Sequence, residues 1–230
     1  MTESKFGKNY GLFLDSFLEK NTISETEDIS KLIYLDLFLI RQAQWNYKIK
    51  FNRKIDSSVS DIFQDLIAYY LKNSLSNEYQ VILEEKTGKL RPDILIKKNG
   101  SNHSIIEIKT TIGWDRKLIE NKNYMDRIIE LSTEFNVLEK RIFYIFESYA
   151  NVNKGFKKVF EMKNSEDKEI FDYIFPLFKD SPAPYYINKK SKDKKAADAD
   201  YKLFKAEEIE NLYNQNKYTE FKQILKKITD

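Results

Sequence analysis

The tetrapeptide Asn99-Gly100-Ser101-Asn102 separates two apolar runs, and this arrangement constrains the fold more than any other part of the chain. The first run begins at Asp93 and the second ends in the sequence Glu107-Ile108-Lys109. Asparagine and glycine between two such runs are typical of a hairpin turn, so we expect two antiparallel strands. Because side chains alternate between the faces of a strand, Glu107 and Lys109 should share a face. Asp93 and Glu107 both lie far from the turn, so the hairpin should bring their carboxylates to one end of the sheet.

Two neighbouring carboxylates and an amine are the groups expected at a metal-dependent site for phosphodiester hydrolysis. Carboxylate oxygens are ligands that Mg²⁺ prefers, and water and a substrate phosphate can complete its coordination. A metal ion held by Asp93 and Glu107 would lower the pKa of a bound water and offset charge on the phosphodiester. Lys109 beside it could orient that water or stabilise the charge that develops. Without a cation, the two carboxylates would repel each other and would also repel phosphate.

The residues Pro92-Asp93 and Glu107-Ile108-Lys109 resemble the motif of the PD-(D/E)xK nuclease superfamily, which includes most type II restriction endonucleases. The resemblance covers roughly residues 57–150. As a string the motif is short and degenerate, so it is specific only in the right structural context. For Asp93 the alternative is a residue that merely starts a strand or turn, and for Glu107 and Lys109 it is one polar face of a half-exposed strand.

The order of predicted elements supplies that context, because the core of this superfamily runs helix, three strands, helix, strand. Apolar residues recur at helical spacing over 59–71, and residues 78–84 predict a strand ahead of the hairpin. A second helix is predicted over 117–137, and the aromatic and β-branched stretch 141–149 predicts a buried strand. The expected fold class is therefore α/β, a restriction-endonuclease-like core with a central mixed sheet and added N- and C-terminal helices.

The resemblance implies roles for the motif residues. Asp93 and Glu107 would hold Mg²⁺ together with the backbone carbonyl of Ile108, and Mn²⁺ could substitute. Lys109 would activate the attacking water.

The first helix departs from the family pattern, which usually places a further acidic residue there. The matching position carries Gln64, which could hold a metal-bound water or a ligand through its amide oxygen. We prefer Gln64 to Asp65 as the fourth catalytic residue. Asp61 ranks third, since it suits a first-turn residue that complements the helix dipole. This departure leaves the number of bound metals open.

Hydroxyl and cationic side chains near the expected catalytic end are candidates for substrate binding. Thr110, Thr111 and Arg116 follow the Glu107 strand in a segment that could grip phosphates beside the scissile bond. The alternative for this segment is a plain connection from strand to helix. Lys157 and Lys158 belong to a basic cluster that could contact the phosphate backbone or be solvated.

Length and composition favour one domain over residues 1–230, since 230 residues with 41% hydrophobic content can bury a sizeable core. Around the core of residues 57–150 we expect a helical N-terminal segment, 1–56, and a helical C-terminal extension, 151–230.

Several classes of site are excluded by residue counts. The absence of cysteine excludes disulfides and cysteine-based zinc sites, and the single histidine, His103, cannot form a histidine cluster. We expect His103 to be a solvated turn residue. Neither a membrane span nor a secretory signal is predicted, so a cytoplasmic location is expected. The net charge of +3 is too small to indicate nucleic acid by itself.

The expected function is a Mg²⁺-dependent endodeoxyribonuclease of the sequence-specific type II restriction class, with Asp93, Glu107, Lys109 and Gln64 as catalytic residues. The resemblance implies double-stranded DNA as substrate and a homodimer that matches a palindromic site. Alternatives are another nuclease of this superfamily, such as a junction resolvase, a phage-defence DNase or an RNase. A catalytically silent DNA-binding module on the same scaffold is a further alternative.

Overall fold

A computed structural model describes residues 5–24, 26–50, 60–111, 123–148, 172–180, 182 and 205–230. Within these residues the chain forms six α-helices, one 3₁₀ turn and five strands. In chain order they are α1 (Lys5–Ser16), α2 (Ile29–Lys50), α3 (Ser60–Ser74), β1 (Tyr79–Leu83), β2 (Ile94–Lys98), β3 (Ser101–Thr111), α4 (Asn123–Phe135), the 3₁₀ turn (Glu139–Arg141), β4 (Ile142–Ser148), β5 (Ile174–Phe178), α5 (Ala206–Asn216) and α6 (Phe221–Thr229). The predicted α/β class is confirmed.

The five strands form one mixed sheet in the order β1-β2-β3-β4-β5. The pairs β1/β2 and β2/β3 are antiparallel, whereas β3/β4 and β4/β5 are parallel. Between β2 and β3, Asn99 and Gly100 have φ values of 50° and 81°. Positive φ at both central residues suits the twist of a two-residue hairpin, and asparagine and glycine tolerate it best. The predicted hairpin is confirmed. Its turn sets the register of β2 and β3 and thereby places Asp93 beside Glu107.

The sheet separates two hydrophobic cores. Ile94 and Ile96 of β2 face the larger core, which is completed by α2, α3, α5 and α6. Leu95 faces the smaller core, which is completed by α4. Every residue of β4 is buried, as expected of a parallel strand covered on both faces. The polar end of β3 is therefore held between two packed layers.

The predicted order of helix, three strands, helix and strand occurs as α3, β1 to β3, α4 and β4. The predicted helical N-terminal segment contains α1 and α2, and these helices are separated by non-helical chain. Residues 117–122 of the predicted second helix lie outside the described residues, and α4 begins at Asn123.

Two sequence predictions are wrong. The C-terminal extension is not wholly helical, because Ile174–Phe178 form β5 at the edge of the sheet. Pro176 lies inside this strand, where an edge position tolerates the missing N–H. His103 is not a solvated turn residue but a half-buried member of β3, and its Nε2 atom lies 2.8 Å from the Ile228 carbonyl oxygen and 2.6 Å from Arg141 Nη1. In the part of the chain that the structure describes, no helix has the length and apolar character that crossing a membrane needs.

A buried ion pair joins α2 to the end of β4. Arg41 Nη2 donates to Glu147 Oε2 at 2.5 Å, and their side chains are 7% and 1% exposed. We expect Arg41→Met to lower the free energy of unfolding by about 3 kcal/mol, because a carboxylate that loses a buried partner stays desolvated. Urea denaturation would measure this loss. Lys31→Met is the control on the same helix, since Lys31 pairs with Glu210 at the surface and should contribute less than about 1 kcal/mol. Equal losses in the two variants would contradict the prediction.

Candidate active site

The structure brings Asp93, Glu107 and Lys109 together at one end of the sheet. Ile94 pairs in register with Ile106, so Asp93 immediately before β2 lies beside Glu107 of β3. The Lys109 Nζ atom is 3.9 Å from Asp93 Oδ2 and 3.7 Å from Glu107 Oε2. Two carboxylates thus share one ammonium group, as the hairpin geometry predicts.

Asp93 is anchored to the neighbouring strand by its side chain. Its Oδ2 atom accepts a hydrogen bond from the Ile108 backbone N–H at 2.6 Å. In an antiparallel pair, the N–H and C=O of one residue face the same neighbouring strand. The Ile108 carbonyl is therefore directed toward the β2 side, where Asp93 lies. Two carboxylates and a nearby carbonyl form a set of hard oxygen donors that fits Mg²⁺.

Glu107 is the buried carboxylate of the pair, with a side chain only 7% exposed. Burial, followed by the negative charge of Asp93, raises the pKa of the Glu107 carboxyl above its ordinary value. Arg127 and Lys109 oppose this rise with their positive charges. Cations close to Glu107 therefore favour its ionised form, whereas burial and Asp93 disfavour it.

Arg127 is a site residue that the sequence analysis did not identify. Its Nη2 donates to Glu107 Oε1 at 3.1 Å from α4, on the opposite side of the carboxylate from the hairpin. Arg127 falls within the stripe formed by Tyr124, Ile128 and Leu131, which are buried against the sheet. An arginine at helical spacing within an apolar stripe signals a buried partner. That signal was available in the sequence.

The raised pKa of Glu107 predicts a pH dependence of stability in the absence of metal. The folded protein binds this proton more tightly than the unfolded chain does, so the free energy of unfolding should fall as pH rises from about 4.5 through the raised pKa. Each unit by which the pKa is raised costs about 1.4 kcal/mol above that range. Urea denaturation in EDTA should show this fall in the wild type, and Glu107→Gln should reduce it. Identical pH profiles for the two proteins would contradict the assignment.

Gln64 lies next to Asp93, but its amide contacts the main chain. The Gln64 Nε2 atom donates to the Asp93 carbonyl oxygen at 3.3 Å. Asp65 has a pKa raised by burial, with the charges of Asp61 and Glu84 adding to the rise. Within the described ranges, no three histidine or acidic side chains are grouped as metal ligands. Helix α3 therefore contacts the Asp93 backbone through an amide side chain.

A cavity of about 420 Å³ adjoins the carboxylate pair on the α4 side of the sheet. Its walls carry two cations, three carboxylates and two tyrosines: Lys109, Arg127, Glu107, Asp126, Glu130, Tyr124 and Tyr144. The two tyrosine rings meet edge to face with centroids 4.5 Å apart, which gives the cavity a rigid aromatic wall. Glu107 and Lys109 are thus accessible to a ligand from this cavity.

The predicted substrate-binding residues are only partly described. Thr110 follows Lys109 in β3 and is half-buried, and strand alternation directs its side chain to the opposite face of the sheet. A residue that donates to a phosphate at this site would have to share a face of the sheet with Lys109, and Thr110 does not. Thr111 ends β3, and its side chain lies outside the described residues. Arg116, Lys157 and Lys158 also lie outside them.

Comparison of the chain with protein-family models, curated proteins and solved structures found no match. The resemblance to the PD-(D/E)xK superfamily therefore rests on the motif residues and the order of the elements.

Proposed function

We propose that this chain is a Mg²⁺-dependent endonuclease that hydrolyses phosphodiester bonds of double-stranded DNA on a restriction-endonuclease-like core. One observation carries the proposal: Asp93, immediately before β2, and Glu107 of β3 both lie within 4 Å of the Lys109 ammonium group. The position of this group in a mixed sheet, after one helix and before another, supports the proposed core. Both carboxylates supply oxygen ligands of the kind that a hard divalent cation requires.

Asp93, Glu107 and the Ile108 carbonyl are the residues that would hold Mg²⁺, with Mn²⁺ as a substitute. The metal would supply a bound water of lowered pKa and positive charge against the phosphodiester oxygens. Glu107 must be ionised for this role, and its buried position makes that ionisation depend on neighbouring cations.

Lys109 and Gln64 would act on either side of the carboxylates. The Lys109 ammonium, within 4 Å of both carboxylates, can donate hydrogen bonds to an attacking water or to a phosphate oxygen. Gln64 is proposed as a positioning residue, because its amide holds the Asp93 carbonyl and thereby the chain that enters β2. This role differs from the ligand role expected from the sequence.

A sequence-specific type II enzyme acting as a homodimer is the finer form of the proposal. A chain with one such carboxylate pair would cut one strand, and a two-fold dimer would place two sites on a palindromic duplex. This form of the proposal includes a cytoplasmic location for the protein.

Cleavage of DNA tests the proposal directly. Supercoiled plasmid and unmethylated genomic DNA would be incubated with the protein in Mg²⁺ or in EDTA and separated on a gel. Discrete fragments that require Mg²⁺ would support a sequence-specific enzyme, and a smear would support a non-specific DNase. Intact duplex with cleaved RNA or junction DNA would redirect the proposal to another nuclease of this type. No cleavage of any substrate would overturn it.

A DNA-binding module without catalysis is the second candidate, and Arg127 favours it. The guanidinium contacts Glu107 Oε1, which a metal ion would also need as a ligand. In addition, α3 contributes the Gln64 amide at this site where the family pattern has a third carboxylate. In this candidate Arg127 would be a permanent partner of Glu107.

The two candidates differ in what happens when Arg127 is removed. If Arg127 competes with metal for Glu107, Arg127→Gln should tighten Mn²⁺ binding by about fivefold, the value expected for one partly exposed ion pair. Arg127→Lys should change the affinity less, because it keeps the charge. Electron paramagnetic resonance of free Mn²⁺ measures both. Weaker Mn²⁺ binding in Arg127→Gln would contradict competition, and a chain that binds no Mn²⁺ in any form would be the silent module.

A further inference from the structure

A second cavity, of about 360 Å³, lies at the other end of the sheet. Arg141 lines it immediately before β4, whereas Lys109 pairs in register with Phe146 five residues further along that strand. Five residues of strand span about 16 Å, so this cavity is separate from the candidate active site. We call it the basic pocket, and its charged residues are Lys140, Arg141, Lys226, Lys227 and Asp230.

The basic pocket carries more positive charge than its carboxylate balances. Four cations and one acidic side chain line it, and that carboxylate, Asp230, is 3.9 Å from Lys226 Nζ. Within the described ranges, Lys140, Arg141 and Lys227 have no carboxylate within ion-pair distance. Cations in the last turn of α6 complement its helix dipole, which accounts for Lys226 and Lys227. The dipole of α6 does not account for Lys140 and Arg141, which belong to the 3₁₀ turn before β4.

Arg141 is fixed in place while part of its guanidinium stays available. Its Nη1 atom contacts His103 Nε2 at 2.6 Å and donates to the Ile228 carbonyl at 3.0 Å. Both contacts use Nη1. In the part of the chain that the structure describes, the Nε and Nη2 donors have no partner. A guanidinium anchored at one nitrogen with its other donors free is suited to an anion with several acceptor oxygens.

His103 lies beside Arg141 where both residues contact the end of α6. Burial lowers the pKa of the His103 imidazole below its ordinary value, the hydrogen bond to the Ile228 carbonyl opposes this shift, and the charge of Arg141 adds to it. His103 Nε2 lies 2.8 Å from the Ile228 carbonyl oxygen, which also accepts the hydrogen bond from Arg141 Nη1, so the ring and the guanidinium share this acceptor at the end of α6. The lone histidine of the chain is thus part of the support for the basic pocket.

We infer that the basic pocket binds a phosphate group. An anchored arginine and three lysines around a cavity match a tetrahedral oxyanion that accepts several charge-assisted hydrogen bonds. The phosphate could belong to a small phosphate compound or to a nucleic acid strand, and both present the same oxygens. The inference does not depend on the proposed nuclease activity, because it uses residues at the opposite end of the sheet.

The test is a titration of the full chain with inorganic phosphate at constant ionic strength in EDTA, followed by amide chemical shifts in NMR spectra. We expect saturable shifts confined to residues 139–142 and 223–230. Lys226→Gln combined with Lys227→Gln should weaken the affinity about fivefold. Lys222→Gln is the matched control on the same helix, because Lys222 pairs with Glu220 and does not line the pocket. Its affinity should be unchanged.

Three results would overturn the inference: no saturable shifts, shifts spread over unrelated surface lysines, or equal affinities in the double variant and the control. Arg141→Gln should abolish the shifts, but Arg141 also caps α6, so the lysine variants are decisive. A short thymidine oligonucleotide in the same buffer identifies the source of the phosphate. Competition with inorganic phosphate would indicate a nucleic acid strand, whereas binding of inorganic phosphate alone would indicate a small compound.

Discussion

Lys109→Ala is expected to reduce DNA cleavage by about a hundredfold to a thousandfold while leaving the fold and DNA binding intact. The ammonium group is shared by both carboxylates of the hairpin, with Nζ 3.9 Å from Asp93 Oδ2 and 3.7 Å from Glu107 Oε2. Removing a positioned donor that acts on developing charge costs two to three orders of magnitude in comparable sites. The lysine is 32% exposed, so its loss leaves no large cavity. Initial rates on plasmid DNA and a binding assay in Ca²⁺ would measure the two properties.

Lys97→Ala is the matched control for this prediction. Lys97 lies on β2, is 23% exposed and pairs with Glu85 at 2.9 Å, so its removal also breaks an ion pair on the same sheet. Its cleavage rate should stay within a few-fold of wild type. A comparable loss in both variants would mean that the effect is structural, and full activity of Lys109→Ala would remove Lys109 from the mechanism.

Asp93→Asn is expected to abolish both metal binding and cleavage, with a rate loss of about a thousandfold or more. The asparagine side chain can still accept the Ile108 N–H, so the contact that anchors the start of β2 is kept. Only the charge is lost, and with it one of two anionic ligands. A metal ion contributes several kcal/mol to charge stabilisation in the transition state, which corresponds to that loss in rate. Mn²⁺ binding followed by electron paramagnetic resonance gives a measurement independent of activity.

Asp126→Asn provides the comparison for Asp93→Asn. Asp126 lines the same cavity from α4 but is exposed, so its removal changes the local charge without removing a proposed ligand. We expect its Mn²⁺ affinity and cleavage rate to remain within a few-fold of wild type. If Asp93→Asn binds Mn²⁺ as tightly as wild type, Asp93 is not a ligand and the proposed metal site is wrong.

The convergence of Asp93, Glu107 and Lys109 could be predicted because it depends on local rules. Asn99 and Gly100 set a two-residue turn, and strand alternation then fixes which side chains share a face. Few long-range contacts are needed for this result. The order of the core elements could be predicted for the same reason, since each has its own periodicity.

The contacts that remained hidden in the sequence depend on packing between distant segments. Arg127 reaches Glu107 only because α4 covers the sheet, and His103 is half-buried because Arg141 and the end of α6 lie against it. Pro176 looks like a strand breaker until β5 is known to be an edge strand. The family pattern also favoured a ligand role for Gln64, whereas its amide contacts the Asp93 backbone.

The pairing of Glu107 with Arg127 and Lys109 bears on how such a protein would mature in a cell. Lys109 and Arg127 partly neutralise Asp93 and Glu107, so the chain can fold around these carboxylates without a bound metal ion. Small zinc domains follow the opposite course, because their binding free energy is their folding free energy. Under the proposed function, newly made chains would fold without Mg²⁺ and would become active only when Mg²⁺ binds.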